Sequence, residues 1–152
     1  MLKILSFLLI FINIEVIGQI IRIENAKYFD ANHNLYNGKY TEYYENGNKK
    51  LEMNLKNGEL DSSTILYYEK GNIKEIRSYK QGLMHGKWIT YNEKGIKTAE
   101  ASYNNDLKDG DWFIWDDNGI LRYEMHYKDG QKIGLWKIFD SSGNMINSRQ
   151  YW

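Results

Sequence analysis

The sequence predicts an all-β fold: tandem antiparallel β-hairpin repeats with a 24-residue period, joined into one elongated meander sheet. Three observations predict it. Glycines fall at Gly47, Gly71, Gly95, Gly119 and Gly143, each 24 residues after the last, where each marks a turn. Two further series keep the same step: Gly38, Gly86, Gly110 and Gly134, with Ser62 at the missing place, and Gly58, Gly82 and Gly130, with Asp106 between. Aromatics follow it as well, as Tyr43, Tyr67, Tyr91, Trp115 and Phe139, and as Tyr79, Tyr103, Tyr127 and Tyr151 after an opening Leu55. A unit this small cannot bury its own apolar face and must stack on its neighbours. Helical spacing of three and four is sustained nowhere after Gly18.

In chain order, residues 1–18 come first and read as a secretory signal peptide. Lys3 precedes an apolar run from Ile4 to Ile12, and the expected cut falls between Gly18 and Gln19. The run is about half the roughly 20 residues that span a bilayer, so no integral span is expected once the leader is removed. The chain has no cysteine, which excludes lipoprotein attachment. The expected location is therefore exported: periplasmic, cell-surface or secreted. Residues 19–36 lie outside the period and are read as an N-terminal capping segment, with Ile20-Ile21-Arg22-Ile23 as its strand.

Residues 37–152 divide into five repeats: 37–60, 61–84, 85–108, 109–132 and 133–152. The third serves as a pattern. Lys87-Trp88-Ile89-Thr90-Tyr91 is β-branched and aromatic and reads as a strand. Asn92-Glu93-Lys94-Gly95 turns the chain, a second strand runs to Tyr103, and Asn104-Asn105-Asp106 turns it again. Asn46-Gly47, Asn118-Gly119, Asn57-Gly58 and Asp129-Gly130 all read as type I′ hairpin turns, where both central residues take positive φ. In the second strand, Leu51/Met53/Leu55, Ala99/Ala101/Tyr103 and Tyr123/Met125/Tyr127 alternate with Lys50/Glu52/Asn54, Thr98/Glu100/Ser102 and Arg122/Glu124/His126. That alternation predicts one apolar face and one solvated face. The first strand carries apolar groups on both.

Composition excludes several functions. Without Cys there are no disulfides, thiolate metal sites or cysteine nucleophiles. Lys+Arg and Asp+Glu balance at 20 each and are interspersed, so no nucleic acid is expected as partner. His33, His85 and His126 show no ligand spacing, and no cofactor is expected. Glu52, Glu100 and Glu124 share a repeat position, which marks a structural ladder rather than an acid–base pair. No catalytic residue is assigned, and the protein reads as a non-enzyme.

The candidate binding residues are Trp88, Trp112 and Trp136, which recur at 24-residue steps. Two readings stand: an apolar core ladder, or an open aromatic strip for sugars or a partner's side chains. In the first reading Trp112→Ala costs roughly 3–5 kcal/mol. In the second it leaves stability intact and removes binding.

His85-Gly86-Lys87-Trp88-Ile89-Thr90-Tyr91 and Asp109-Gly110-Asp111-Trp112-Phe113-Ile114-Trp115 carry a resemblance. With the turn ending in Gly and the strand closing in Tyr, the segment Asn37–Trp152 resembles the bacterial MORN-repeat variant family, often labelled YwqK-family antitoxins. The resemblance implies a repeat sheet, no catalytic motif, and either protein scaffolding or neutralisation of a toxin. The leading expectation is an exported protein-interaction or envelope-associated scaffold module. Its rivals are an antitoxin or immunity protein and a binder of envelope glycan that uses the Trp strip. The partner is expected to be a protein, and open sheet edges allow an end-to-end homodimer.

Overall fold

The computed structural model describes residues 22–152, so the leader read at residues 1–18 and the first residues of the capping strand lie outside the described residues. Among the described residues every regular element is a strand. Two short ones come first, β1 (Arg22–Glu24) and β2 (Lys27–Phe29), paired with each other. The rest are β3 (Gly38–Tyr43), β4 (Lys49–Lys56), β5 (Glu59–Tyr67), β6 (Ile73–Lys80), β7 (Leu83–Tyr91) and β8 (Lys97–Asn104). They continue with β9 (Leu107–Lys108), β10 (Gly110–Trp115), β11 (Leu121–Lys128), β12 (Gln131–Phe139) and β13 (Met145–Tyr151). These form one 11-stranded antiparallel sheet in sequence order from β3 to β13, with the short β9 paired to β8. The sheet does not close on itself: β3 and β13 stand at opposite ends.

The two margins of the sheet use different turns, each dictated by local chemistry. One margin carries Asn57-Gly58 (φ 52° and 71°), Gln81-Gly82, Asn105-Asp106 and Asp129-Gly130, all with both residues at positive φ. These are the type I′ turns that match strand twist. The other margin corrects the expectation for Asn46-Gly47 and Asn118-Gly119. There only the glycine has positive φ (83° and 81°). Gly47 N–H donates to the Tyr44 carbonyl at 3.0 Å, and Tyr44 N–H to the Asn48 carbonyl at 2.8 Å. The same pair of bonds recurs around Gly71, Gly95, Gly119 and Gly143. This is a type I turn closed by one left-handed residue. Side-chain carboxyl or amide oxygens select it: Asp116 Oδ1 accepts from the N–H groups of Asn118 and Ile120, both at 3.0 Å.

Long strands also bend at a point that reads as a turn in the sequence. Gly86 (φ 90°) lies inside β7, where Arg77 opposes Trp88 but Tyr79 opposes Met84. The extra residues make a bulge, and Gly134 sits in the matching bulge of β12. A side chain at Gly110 would place its Cβ 3.1 Å from that of Ser102.

The most buried cluster is Tyr36, Met53 and Leu55, with Tyr28, Tyr40, Leu51 and Leu60 around it. It forms because residues 28–36 lie across one face of β3–β5. Gly58 ties this segment down: its N–H donates to the Tyr36 carbonyl at 2.9 Å and its carbonyl accepts from Tyr28 N–H at 2.8 Å.

The opposite face is less solvated than its sequence predicts. Glu52 is only 6% exposed, and Glu100 and Glu124 are half-buried. Lysine stems fold over these carboxylates. Lys39 and Lys49 meet Glu52, Lys87 and Lys97 meet Glu100, and Lys137 meets Glu124 at 3.0 Å.

Candidate functional site

Alternation along the strands sets Trp and Tyr on one face, and the 24-residue period brings them side by side across neighbouring strands. Seven rings run in the order Tyr79, Trp88, Tyr103, Trp112, Tyr127, Trp136, Tyr151, with centroids 4.8–5.6 Å apart. Neighbouring planes are inclined by 52–63°. The rings are tilted against one another, and Tyr103 with Trp112 comes nearest to the edge-to-face arrangement that the ring quadrupole favours. Burial pushes the hydroxyl pKa values of Tyr79, Tyr103 and Tyr127 up.

The three candidate tryptophans share one role. Trp88 Nε1 donates to the Ser78 carbonyl at 3.1 Å, Trp112 Nε1 to Ser102 at 3.0 Å, and Trp136 Nε1 to His126 at 3.1 Å. Each indole thus reaches one strand back and pins its repeat to the preceding one. All three are half-buried, so the structure makes them neither a sealed core nor a flat open strip. The second repeat lacks the ring. Thr64 takes its place, 6% exposed, with a hydroxyl that has no partner among the described residues.

A row of cations lies on the rings. Lys108 Nζ is 4.3 Å from the Trp112 centroid and 4.8 Å from that of Tyr127. Lys132 stands likewise over Trp136 and Tyr151, at 4.6 and 5.3 Å. Arg77 lies over Trp88 and Arg149 over Tyr151, both at 5.1 Å. Such contacts are worth about 0.5–1 kcal/mol at exposed sites. Sequence reasoning missed this row, although Lys108 and Lys132 are 24 residues apart and the period itself signals them. Among the described residues, Lys108, Lys132 and Arg149 make no ion pair.

The face changes character along the array. Near β3–β5 it is covered by Tyr28 and Tyr36. Near β10–β13 it is open, with Ile114 40% and Tyr123 42% exposed. There a groove of about 420 Å³ is lined by Tyr123, Met125, Trp136, Ile138, Arg149 and Tyr151.

The other sequence-derived candidates are scattered. His33 sits in the turn after β2, with its N–H donating to the Asp30 carbonyl. His126 Nδ1 is 2.7 Å from Asp111 Oδ1, and its Nε2 is 3.5 Å from Glu124 Oε1. His85 is on β7, its Nδ1 buried and without a partner among the described residues. The three histidines are not brought together, and no group of three or more metal-ligating side chains occurs among the described residues. Gly47, Gly71, Gly95, Gly119 and Gly143 form one row of turns along a single margin, as described above.

An open antiparallel array of hairpin units, pinned unit to unit by an aromatic ladder, defines a β-repeat protein. The family model for the MORN repeat variant matches residues 36–57, 61–81, 84–105 and 108–129, more than half of the chain. The chain belongs to that family. The four matched units correspond to the first four repeats, and β12 with β13 continues the sheet as a further hairpin. No match to a curated protein was found. MORN repeats of this kind suggest a repeat-based protein-interaction module, and the family is generally non-enzymatic.

Proposed function

We propose that this protein is an exported interaction module that binds a protein partner on the open part of its ladder face, between β10 and β13. One observation carries the reading. The same repeat face is covered by the chain's own Tyr28 and Tyr36 at one end and bare at the other. The bare part joins a groove of about 420 Å³ to exposed Ile114 and Tyr123, and aromatic residues with apolar neighbours dominate binding hot spots. Lys108, Lys132 and Arg149 on its ladder favour a partner segment that is apolar at its centre and acidic at its flanks. Export rests on the leader read at residues 1–18. Scaffolding in the envelope and neutralisation of a toxin are two uses of the same binding act, and the partner's identity separates them.

A glycan is less well served. Sugars stack on open ring faces, whereas here neighbouring rings are tilted against one another about 5 Å apart and lysine and arginine lie over them.

The test is capture from native cell extract with wild-type protein and with an Ile114→Glu/Tyr123→Glu double variant. A stoichiometric protein that is retained by the wild type and lost by the variant, at unchanged melting temperature, supports the reading. Equal retention by both overturns it. Retention on cell-wall polymer without any protein replaces it with the glycan reading.

A further inference from the structure

We propose that Asn118-Gly119 is a self-modifying site: in the folded chain Asn118 converts to isoaspartate and aspartate, while Asn37-Gly38, Asn46-Gly47 and Asn57-Gly58 are held back.

The chemistry needs an asparagine carboxamide and, next to it, a backbone nitrogen that can approach closely, which glycine provides. The Gly119 nitrogen bonds to Asn118 Cγ, and the side-chain nitrogen leaves as ammonia, carrying the proton of the Gly119 N–H. Water then adds to either carbonyl of the cyclic imide. One opening gives aspartate. The other gives isoaspartate, with the backbone running through the former side chain. Water is the only co-reactant.

The fold separates the four Asn-Gly pairs. Asn37 is tied at both ends of its carboxamide: Nδ2 donates to the Leu35 carbonyl at 3.0 Å, and Oδ1 accepts from Asn57 N–H at 2.7 Å. Asn46 is tied likewise, with Nδ2 donating to the Glu69 carbonyl at 3.0 Å and Oδ1 accepting from Asn48 N–H at 2.9 Å. At Asn57 the nucleophile is shut away. Gly58 is buried, its N–H donates to the Tyr36 carbonyl at 2.9 Å, and a Cβ there would lie 2.8 Å from Leu35 and from the Tyr28 carbonyl. Asn118 and Gly119 are both exposed, and the Asn118 carboxamide has no hydrogen bond among the described residues.

One substitution between repeats accounts for the difference. Asn46 and Asn118 hold the same turn position, and their backbones match: Gly47 N–H and Gly119 N–H donate to the Tyr44 and Asp116 carbonyls at 3.0 and 2.9 Å. Tyr44 sends its hydroxyl to the Tyr67 carbonyl at 2.8 Å and leaves Asn48 N–H to the Asn46 side chain. Asp116 stands where the earlier turn has Tyr44, and its Oδ1 takes the equivalent N–H, that of Ile120, at 3.0 Å. Asn118 is thereby released from the bond that restrains Asn46. Its conversion adds a carboxylate beside Asp116 and Asp117, and isoaspartate lengthens the turn that joins β10 to β11.

The experiment is peptide mapping by mass spectrometry of the purified full chain, held folded at mildly alkaline pH, with fragmentation that distinguishes isoaspartate from aspartate. Asn118 should convert about tenfold or more faster than Asn37, Asn46 or Asn57, because hydrogen bonds or burial must first be undone at those three. In urea the lead of Asn118 should vanish. Asn118→Gln, whose longer arm closes the imide poorly, should abolish the mass gain in that peptide at unchanged melting temperature. Any of the other three pairs converting as fast as Asn118 in the folded chain overturns the proposal. So does an Asn118 that stays intact while the unfolded chain converts, or a lead that persists in urea. None of these outcomes depends on partner capture, so the two readings fail separately.

Discussion

Ser62 and Asp106 stand where the repeat otherwise has glycine, and both keep the glycine backbone, at φ 75° and 67°. A residue with a Cβ is strained there by roughly 1–2 kcal/mol. Asp106 offsets the strain, because its Oδ1 accepts from Met84 N–H at 2.7 Å. No comparable side-chain bond holds Ser62 among the described residues. Ser62→Gly should therefore stabilise the protein by about 1 kcal/mol, read as a higher urea midpoint at constant slope. Asp106→Gly should be close to neutral. His85 is a second internal exception. Its counterparts Asn37, Asp61 and Asp109 each accept the N–H of a turn residue, at 2.7, 3.2 and 3.2 Å. His85→Asp should supply the missing acceptor to Asn105 and raise stability by about 0.5–1.5 kcal/mol in the same measurement. Glu52 sets the acid limit. The hydrogen bond from Lys39, then that from Tyr67, holds its carboxyl down at about 2, against an ordinary 4.5. The folded value lies below the unfolded one, so this stabilisation is present above about pH 4.5 and is lost as pH falls towards 2. It amounts to about 3 kcal/mol. Glu52→Gln should flatten the acid limb of the stability curve between those values, and an unchanged limb would remove Glu52 from the account.

At the scale of the element, the hairpin and its ladder were legible in the sequence because both follow directly from the 24-residue step. Trp88, Trp112 and Trp136 were found by spacing alone, and the structure sets them in one row. The turn types were only half legible. Asn57-Gly58 and Asn46-Gly47 are the same dipeptide, yet only the first has both residues at positive φ. What separates them is a bond network that a dipeptide does not encode, the Tyr44–Asn48 and Gly47–Tyr44 backbone pairs. The bulge at Gly86 was hidden for a related reason: a glycine with positive φ looks alike in a turn and inside a strand. The burial of Glu52 was missed because alternation assigns a carboxylate to water and takes no account of lysine stems closing over it. The ladder's contribution is measurable. Trp112→Ala loses contact with Tyr103, Tyr127 and Lys108 as well as the bond to Ser102, and should cost about 3 kcal/mol. Trp112→Phe keeps a ring in the row and loses the N–H donor, and should cost about 1 kcal/mol. Equal losses from the two variants would show that the hydrogen bond, not the ring stack, joins the repeats.

Across the whole molecule, strand pairing is between sequence neighbours, from β3 to β13 without a crossover. In such an array stability is close to a sum of unit terms and nearest-neighbour terms, so the ends are free to differ. Here they do. Tyr36, Met53 and Leu55 are at most 7% exposed at the β3 end, whereas β13 is exposed along nearly its whole length. Backbone amides should therefore exchange with solvent in a graded order at high dilution: slowest in β4 and β5, intermediate in β7 and β8, fastest in β12 and β13. A single cooperative rate for all strands would mean that the ladder couples the units more strongly than its ring spacing indicates. It would also mean that the open groove is as rigid as the covered end. The graded result would make β10–β13 the part of the sheet able to adjust to what it binds, which is where exposed Ile114 and Tyr123 and the groove already lie.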